Sequence, residues 1–112
     1  MTPEAKVKSK VRRILKAHGC FVGAVPGGMY GQNGMPDYVG CLNSVFLGVE
    51  VKAGKNKATK LQRKILDQIN TAGGVGMVVS ETELDLLSQT LELIAQGEIN
   101  AARDHWIQTG KR

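Results

Sequence analysis

The chain has 112 residues, 42% hydrophobic and 22% charged, a composition that fits one globular domain and argues against general disorder. Only 4% are aromatic, so the core falls to Val, Leu, Ile, Met and Ala, a modest core for which oligomerisation is a natural complement. The net charge of +5 hides an asymmetry: Met1 to Lys64 holds 12 Lys+Arg against Glu4, Asp37 and Glu50, a local +9, while Ile65 to Arg112 carries −4. A basic half with so few acids suits a polyanionic partner, because Lys and Arg release counterions from a phosphate backbone. It equally suits a solubilising surface.

In chain order, Thr2-Pro3-Glu4 reads as a helix start: a capping hydroxyl, Pro at the first helical position, an acid in the first turn. Val7, Val11, Ile14 and Leu15 recur at helical spacing, with His18 near the end and Gly19 as the stop. Cys20 to Val25 leans to strand and is closed by Pro26. Gly27 to Gly34, with its four glycines, reads as a loop. A short strand is expected from Pro36-Asp37 through Tyr38 and Val39 to Cys41. A three-residue turn, Leu42-Asn43-Ser44, then leads into Val45 to Lys52, the clearest strand pattern in the chain.

Gly54 to Ala58 is a polar connection. Thr59 caps a helix running to Ala72, with Leu61, Ile65, Leu66 and Ile69 on its apolar side, and Gly73-Gly74 ends it. Val75 to Val79 reads as a buried strand. Glu81 to Gln96 reads as a helix built on Leu84, Leu87, Leu91 and Leu93-Ile94. Ala101 to Trp106 suggests a short last helix, with Trp106 in the core or at a subunit contact. The order is αβββαβα in one layered α/β domain spanning 1–112.

Cys20 and Cys41 lie far apart with no Cys-x-x-Cys pair, which excludes a zinc ribbon or finger by ligand count. Both sit in apolar segments and read as buried reduced thiols, which points to a reducing, cytoplasmic setting. Met1 to Ala17 is charged and amphipathic, unlike a secretory signal, and no apolar run approaches the ~20 residues that cross a bilayer, so no membrane is expected.

The chemistry concentrates in Val49-Glu50-Val51-Lys52. Strand side chains alternate, so Glu50 and Lys52 project to one side with the Val51 carbonyl between them. A carboxylate and a backbone oxygen suit a hard cation such as Mg²⁺, which keeps several waters and needs few protein ligands. Asp37 opens the preceding strand, and a hairpin places it near Glu50. Two carboxylates that close repel unless protonated or bridged by a cation. A cation there supplies what phosphodiester hydrolysis needs, charge neutralisation and an acidified water, with Lys52 orienting that water or stabilising developing charge. An isolated Glu-x-Lys is ordinarily a salt bridge on an exposed face. The upstream Pro-Asp, the Gly-rich loop and the basic surroundings favour the catalytic reading.

Gly34-Met35-Pro36-Asp37, then Val49-Glu50-Val51-Lys52, then Gln62 in the next helix, together resemble the VRR-NUC branch of the PD-(D/E)xK nucleases. Glu4 also matches that branch, and the likeness covers roughly Pro3 to Val79. The resemblance implies a restriction-endonuclease-like core, with a mixed sheet flanked by helices, using Mg²⁺ or Mn²⁺ to cut DNA. It implies Asp37, Glu50, Val51 and Glu4 as metal ligands and Glu4, Asp37, Glu50, Lys52 and Gln62 as the catalytic set. Stand-alone members of this size are viral (phage) or bacterial homodimers that act on branched DNA such as four-way junctions. This chain departs from the branch mainly at Tyr38, where an aliphatic residue is usual.

Several of these residues carry a second reading. Glu4 also complements the helix dipole, and a Gln on an exposed helix face needs no function. Tyr30 in the Gly-rich loop could stack on an unpaired base, or the loop could be a plain connection. Lys55, Lys57, Lys60 and Lys64 suit phosphates or solvent. Gly54-Lys55-Asn56 is not a P-loop, because Val49 stands where the first Gly is required and no Ser/Thr follows Lys55. His18 and His105 are too scattered for a histidine-based site. The competing functions are a non-catalytic DNA-binding module on a nuclease-like fold and a purely structural interaction domain.

Overall fold

A computed structural model describes residues 1–26 and 33–108. Helix α1 (Pro3–Ala17) begins as its sequence signs require. Thr2 Oγ1 accepts the Ala5 N–H at 3.1 Å, and Gly19, at φ +83°, turns the chain away after the last turn. Strands β1 (Phe21–Ala24), β2 (Tyr38–Leu42) and β3 (Val45–Val51) follow. Next come α2 (Lys60–Thr71), β4 (Val75–Val79), α3 (Leu84–Ala95) and α4 (Ile99–Gln108). The sheet order is β1-β2-β3-β4, antiparallel except for the parallel β3–β4 pair, whose ends α2 connects. The protein is therefore α/β, a four-stranded mixed sheet flanked by helices, in an order consistent with a restriction-endonuclease-like core.

Alternation along β3 divides the two faces. Val45, Leu47, Val49 and Val51 enter the main core with Val7, Val11 and Leu15 of α1, Leu87, Leu91 and Ile94 of α3, and Trp106 of α4. The opposite face meets α2 through a smaller cluster of Ala58, Leu66 and Val78, with Ile69 beside it. Close approach of α2 depends on Gly48: a Cβ there would lie 2.5 Å from Ile69 Cδ1 and 3.2 Å from Pro36 Cγ. Trp106 is wholly buried, and its indole N–H donates to Thr90 Oγ1, tying α4 to α3.

Four expectations need correcting. The β2–β3 turn has two residues, not three: Leu42 pairs with Val45, and Asn43 and Ser44 both take positive φ, 51° and 67°, which matches the twist of a tight hairpin. Asn43 Nδ2 also donates to the Ile94 carbonyl, anchoring that turn on α3. Helix α3 starts at Leu84 instead of Glu81, because the Glu83 carboxylate accepts from Ser80 N–H and Ser80 Oγ and fixes a turn ahead of the helix. The last segment forms a ten-residue helix, α4, so the order gains a final α. Cys20 is buried but Cys41 is exposed, since Cys41 alternates onto the face of β2 away from the main core, paired with exposed Phe21 and Phe46. Both cysteines are free, and burial, then the nearby Cys41, pushes the Cys20 thiol up to about 11. No helix among the described residues is long and apolar enough to cross a membrane.

Candidate active site

The hairpin register runs Tyr38 opposite Val49, and one further step sets Asp37 opposite Glu50 on the same face of the sheet. Two hydrogen bonds hold Asp37 there. Its carbonyl accepts the Val25 N–H at 2.9 Å, extending the β1–β2 ladder, and its Oδ2 accepts the Val51 N–H at 2.7 Å. Gly34, at φ +84°, starts this approach, and a Cβ on it would lie 2.6 Å from Leu61 Cγ in the first turn of α2. The Gly-Met-Pro-Asp segment is thus pressed between β3 and α2.

Glu50 lies on β3, facing α2, and is only 4% exposed. Its Oε2 accepts from Gln62 Nε2 at 3.1 Å and lies 3.3 Å from Lys52 Nζ. Gln62 is fixed in turn by the start of α2. Its Oε1 accepts the Thr59 N–H at 2.8 Å while Thr59 Oγ1 accepts the Gln62 N–H, a reciprocal capping box. With the amide oxygen engaged in the cap, the amide nitrogen faces Glu50.

Burial first, and then the charge of Asp37, push the Glu50 carboxyl up to about 7, although Lys52 pulls the other way. The other oxygen, Glu50 Oε1, is buried and has no hydrogen-bond partner. A buried, unsatisfied carboxyl oxygen beside a second acid is costly without a counter-ion. Both acids are hard oxygen donors, so the pair fits a hard divalent cation.

Glu4 does not join them directly. Lys8 lies between: its Nζ is 3.3 Å from Asp37 Oδ1 and 3.7 Å from Glu4 Oε2. Burial lowers the Lys8 pKa, but Asp37 and then Glu4 outweigh it and hold the ammonium above its ordinary value. Among the described residues no group of three or more His, Cys, Asp or Glu side chains converges as a metal cage. Val51 contributes its N–H to Asp37, whereas the sequence had pointed only to its carbonyl.

Sequence reasoning therefore named Asp37, Glu50, Lys52 and Gln62, which the fold brings together, and missed Lys8. The signal for Lys8 was available in its i,i+4 spacing from Glu4. Lys55, Lys57, Lys60 and Lys64 are all exposed, and Lys60 and Lys64 border an open groove of about 990 Å³ along α2. That groove holds none of the clustered acids. Tyr30 lies outside the described residues, as does most of the Gly-rich loop. No family model matches the chain, and no curated protein matches it.

Proposed function

We propose that the protein is a Mg²⁺- or Mn²⁺-dependent endonuclease of the VRR-NUC branch of the PD-(D/E)xK nucleases. On this reading it hydrolyses phosphodiester bonds in DNA, with four-way junctions or other branched DNA as the preferred class, as a phage or bacterial homodimer in the bacterial cytoplasm. The observation that carries the reading is the pair Asp37 and Glu50, in which Glu50 Oε2 is held by Lys52 while the buried Glu50 Oε1 has no hydrogen-bond partner.

Each residue has a distinct task. Asp37 and Glu50 would hold the cation, with the Val51 carbonyl as a backbone oxygen and Glu4 as a further carboxylate. The bound cation would neutralise charge on the phosphate and acidify a water. Gln62 orients Glu50 through its capped amide. Lys52, held at Glu50 and shielded by burial, presents an ammonium to the negative charge that grows on the phosphoryl oxygens as water attacks phosphorus and the P–O ester bond breaks. The exposed lysines 55, 57, 60 and 64, together with Tyr30, suit the DNA backbone and an unpaired base.

The test is a panel of junction, flap and duplex DNA incubated with purified protein in Mg²⁺, in Mn²⁺ and in chelator. Metal-dependent products on branched DNA support the nuclease. Salt-sensitive binding without products in any metal would instead make it a non-catalytic DNA-binding module. Neither binding nor products would leave only an interaction domain.

A further inference from the structure

We infer that Lys8 is a built-in competitor of the divalent cation, an ammonium that holds the free oxygen of Asp37 and must leave it before the site can load. The inference rests on the nuclease reading and adds a regulation of that same site.

The geometry at Asp37 carries the argument. Its Oδ2 is oriented by the Val51 N–H at 2.7 Å, whereas Oδ1, the oxygen without a backbone donor, lies 3.3 Å from Lys8 Nζ. The same ammonium reaches Glu4 Oε2 at 3.7 Å, so one lysine bridges two of the carboxylates that the sequence nominates as ligands. The base of this lysine is fixed. The Lys8 carbonyl accepts from the Tyr38 hydroxyl at 3.4 Å, pinning that turn of α1 to β2. Its tip is free to move, since the side chain is 37% exposed and has water to retreat into.

Lys52 differs on each point. Its side chain is 15% exposed, and its partner Glu50 is also held by Gln62. Of the two lysines, Lys52 is built to stay and Lys8 to yield. An ion pair this exposed is weak and easily exchanged. Once released from Asp37, Lys8 turns to solvent or to a phosphate of the incoming DNA.

The test is calorimetric titration of Mn²⁺ into cation-free protein with no DNA present. Lys8→Met removes the ammonium and keeps the stem on a helix-compatible residue, and Lys8→Gln is the second variant. Lys10→Met is the charge-matched control on the same helix, since Lys10 has no ion-pair partner among the described residues. Both Lys8 variants are expected to bind Mn²⁺ about three- to tenfold more tightly than the unchanged protein, and Lys10→Met within about twofold of it. Mn²⁺ binding that is unchanged or weaker in Lys8→Met overturns the inference while leaving the nuclease reading intact. An equal gain in Lys10→Met also overturns it, as a general field effect. If neither the unchanged protein nor any variant binds Mn²⁺, the nuclease reading falls and the inference with it.

Discussion

The Val51 N–H donates to Asp37 Oδ2 at 2.7 Å, so the strand that carries Glu50 also sets the orientation of the second acid. On the proposed nuclease reading, chemistry and folding share this bond, and suitable substitutions separate them. Asp37→Asn keeps an acceptor for Val51 and removes the charge. It is expected to leave the melting temperature within a few degrees and to lower single-turnover DNA cleavage by roughly 10³-fold, the order lost when a group aimed at developing charge is removed. Asp37→Ala should lose cleavage to a similar degree and stability as well, because the Val51 N–H is then left without its partner. Cleavage near the original rate in Asp37→Asn would remove Asp37 from the site.

Glu50 makes stability depend on pH. Its folded pKa, about 7, stands above the ordinary value of 4.5, so the folded state holds this proton more tightly than the unfolded chain does. The associated stabilisation is complete below pH 4.5, fades as pH rises, and is gone above about 7. The whole effect is on the order of 3 kcal/mol. In chelator, the melting temperature should therefore fall between pH 5 and pH 8, and Glu50→Gln should flatten that fall and be the more stable protein at pH 8. Adding Mn²⁺ at pH 8 should raise the melting temperature of the unchanged protein and leave that of Glu50→Gln unmoved. A flat profile in the unchanged protein would contradict the burial and crowding of this carboxyl.

Gln62 bridges a helix cap and the buried acid Glu50, so on the nuclease reading its loss should register twice. Gln62→Ala removes the side-chain acceptor for the Thr59 N–H and the donor to Glu50. We expect about 1 kcal/mol of lost stability by chemical denaturation, and a fall in kcat of about tenfold with KM little changed. A rise in KM with kcat intact would instead place Gln62 on the DNA.

Gly48 tests how close α2 must lie to the sheet. Gly48→Ala puts a methyl group 2.5 Å from Ile69 Cδ1 and 3.2 Å from Pro36 Cγ, and should cost about 1–3 kcal/mol in urea denaturation. Adding Ile69→Val, which removes the opposing methyl group, should recover part of that loss. Full additivity of the two changes would show that they do not meet.

Much of the fold was legible because local signals agreed. Thr2-Pro3 and Gly19 bounded α1, and Thr59 and Gly73 bounded α2, because capping chemistry is local and reads directly from residue type. Glu50 and Lys52 fall on one side because strand alternation is geometric, and the 3.3 Å ion pair between them follows. What escaped depended on longer range or on finer turn chemistry. Helix α3 begins late because Ser80 and Glu83 bond to each other first, and such a pair looks like helix in a propensity pattern. Cys41 is exposed because it falls on the β2 face away from the main core, beside exposed Phe21 and Phe46, a pairing set by strand register across the sheet. The i,i+4 spacing of Lys8 from Glu4 is local and legible, but its contact with Asp37 is made only by the fold.

The most direct test of the paired acids is a crystal of the cation-free protein soaked in Mn²⁺, with anomalous difference density measured at the manganese edge. One peak is expected, bound by the carboxylates of both Asp37 and Glu50, with Glu50 Oε1 among its ligands. Density bound by neither acid, or no peak while the two carboxylates keep their present positions, would contradict it.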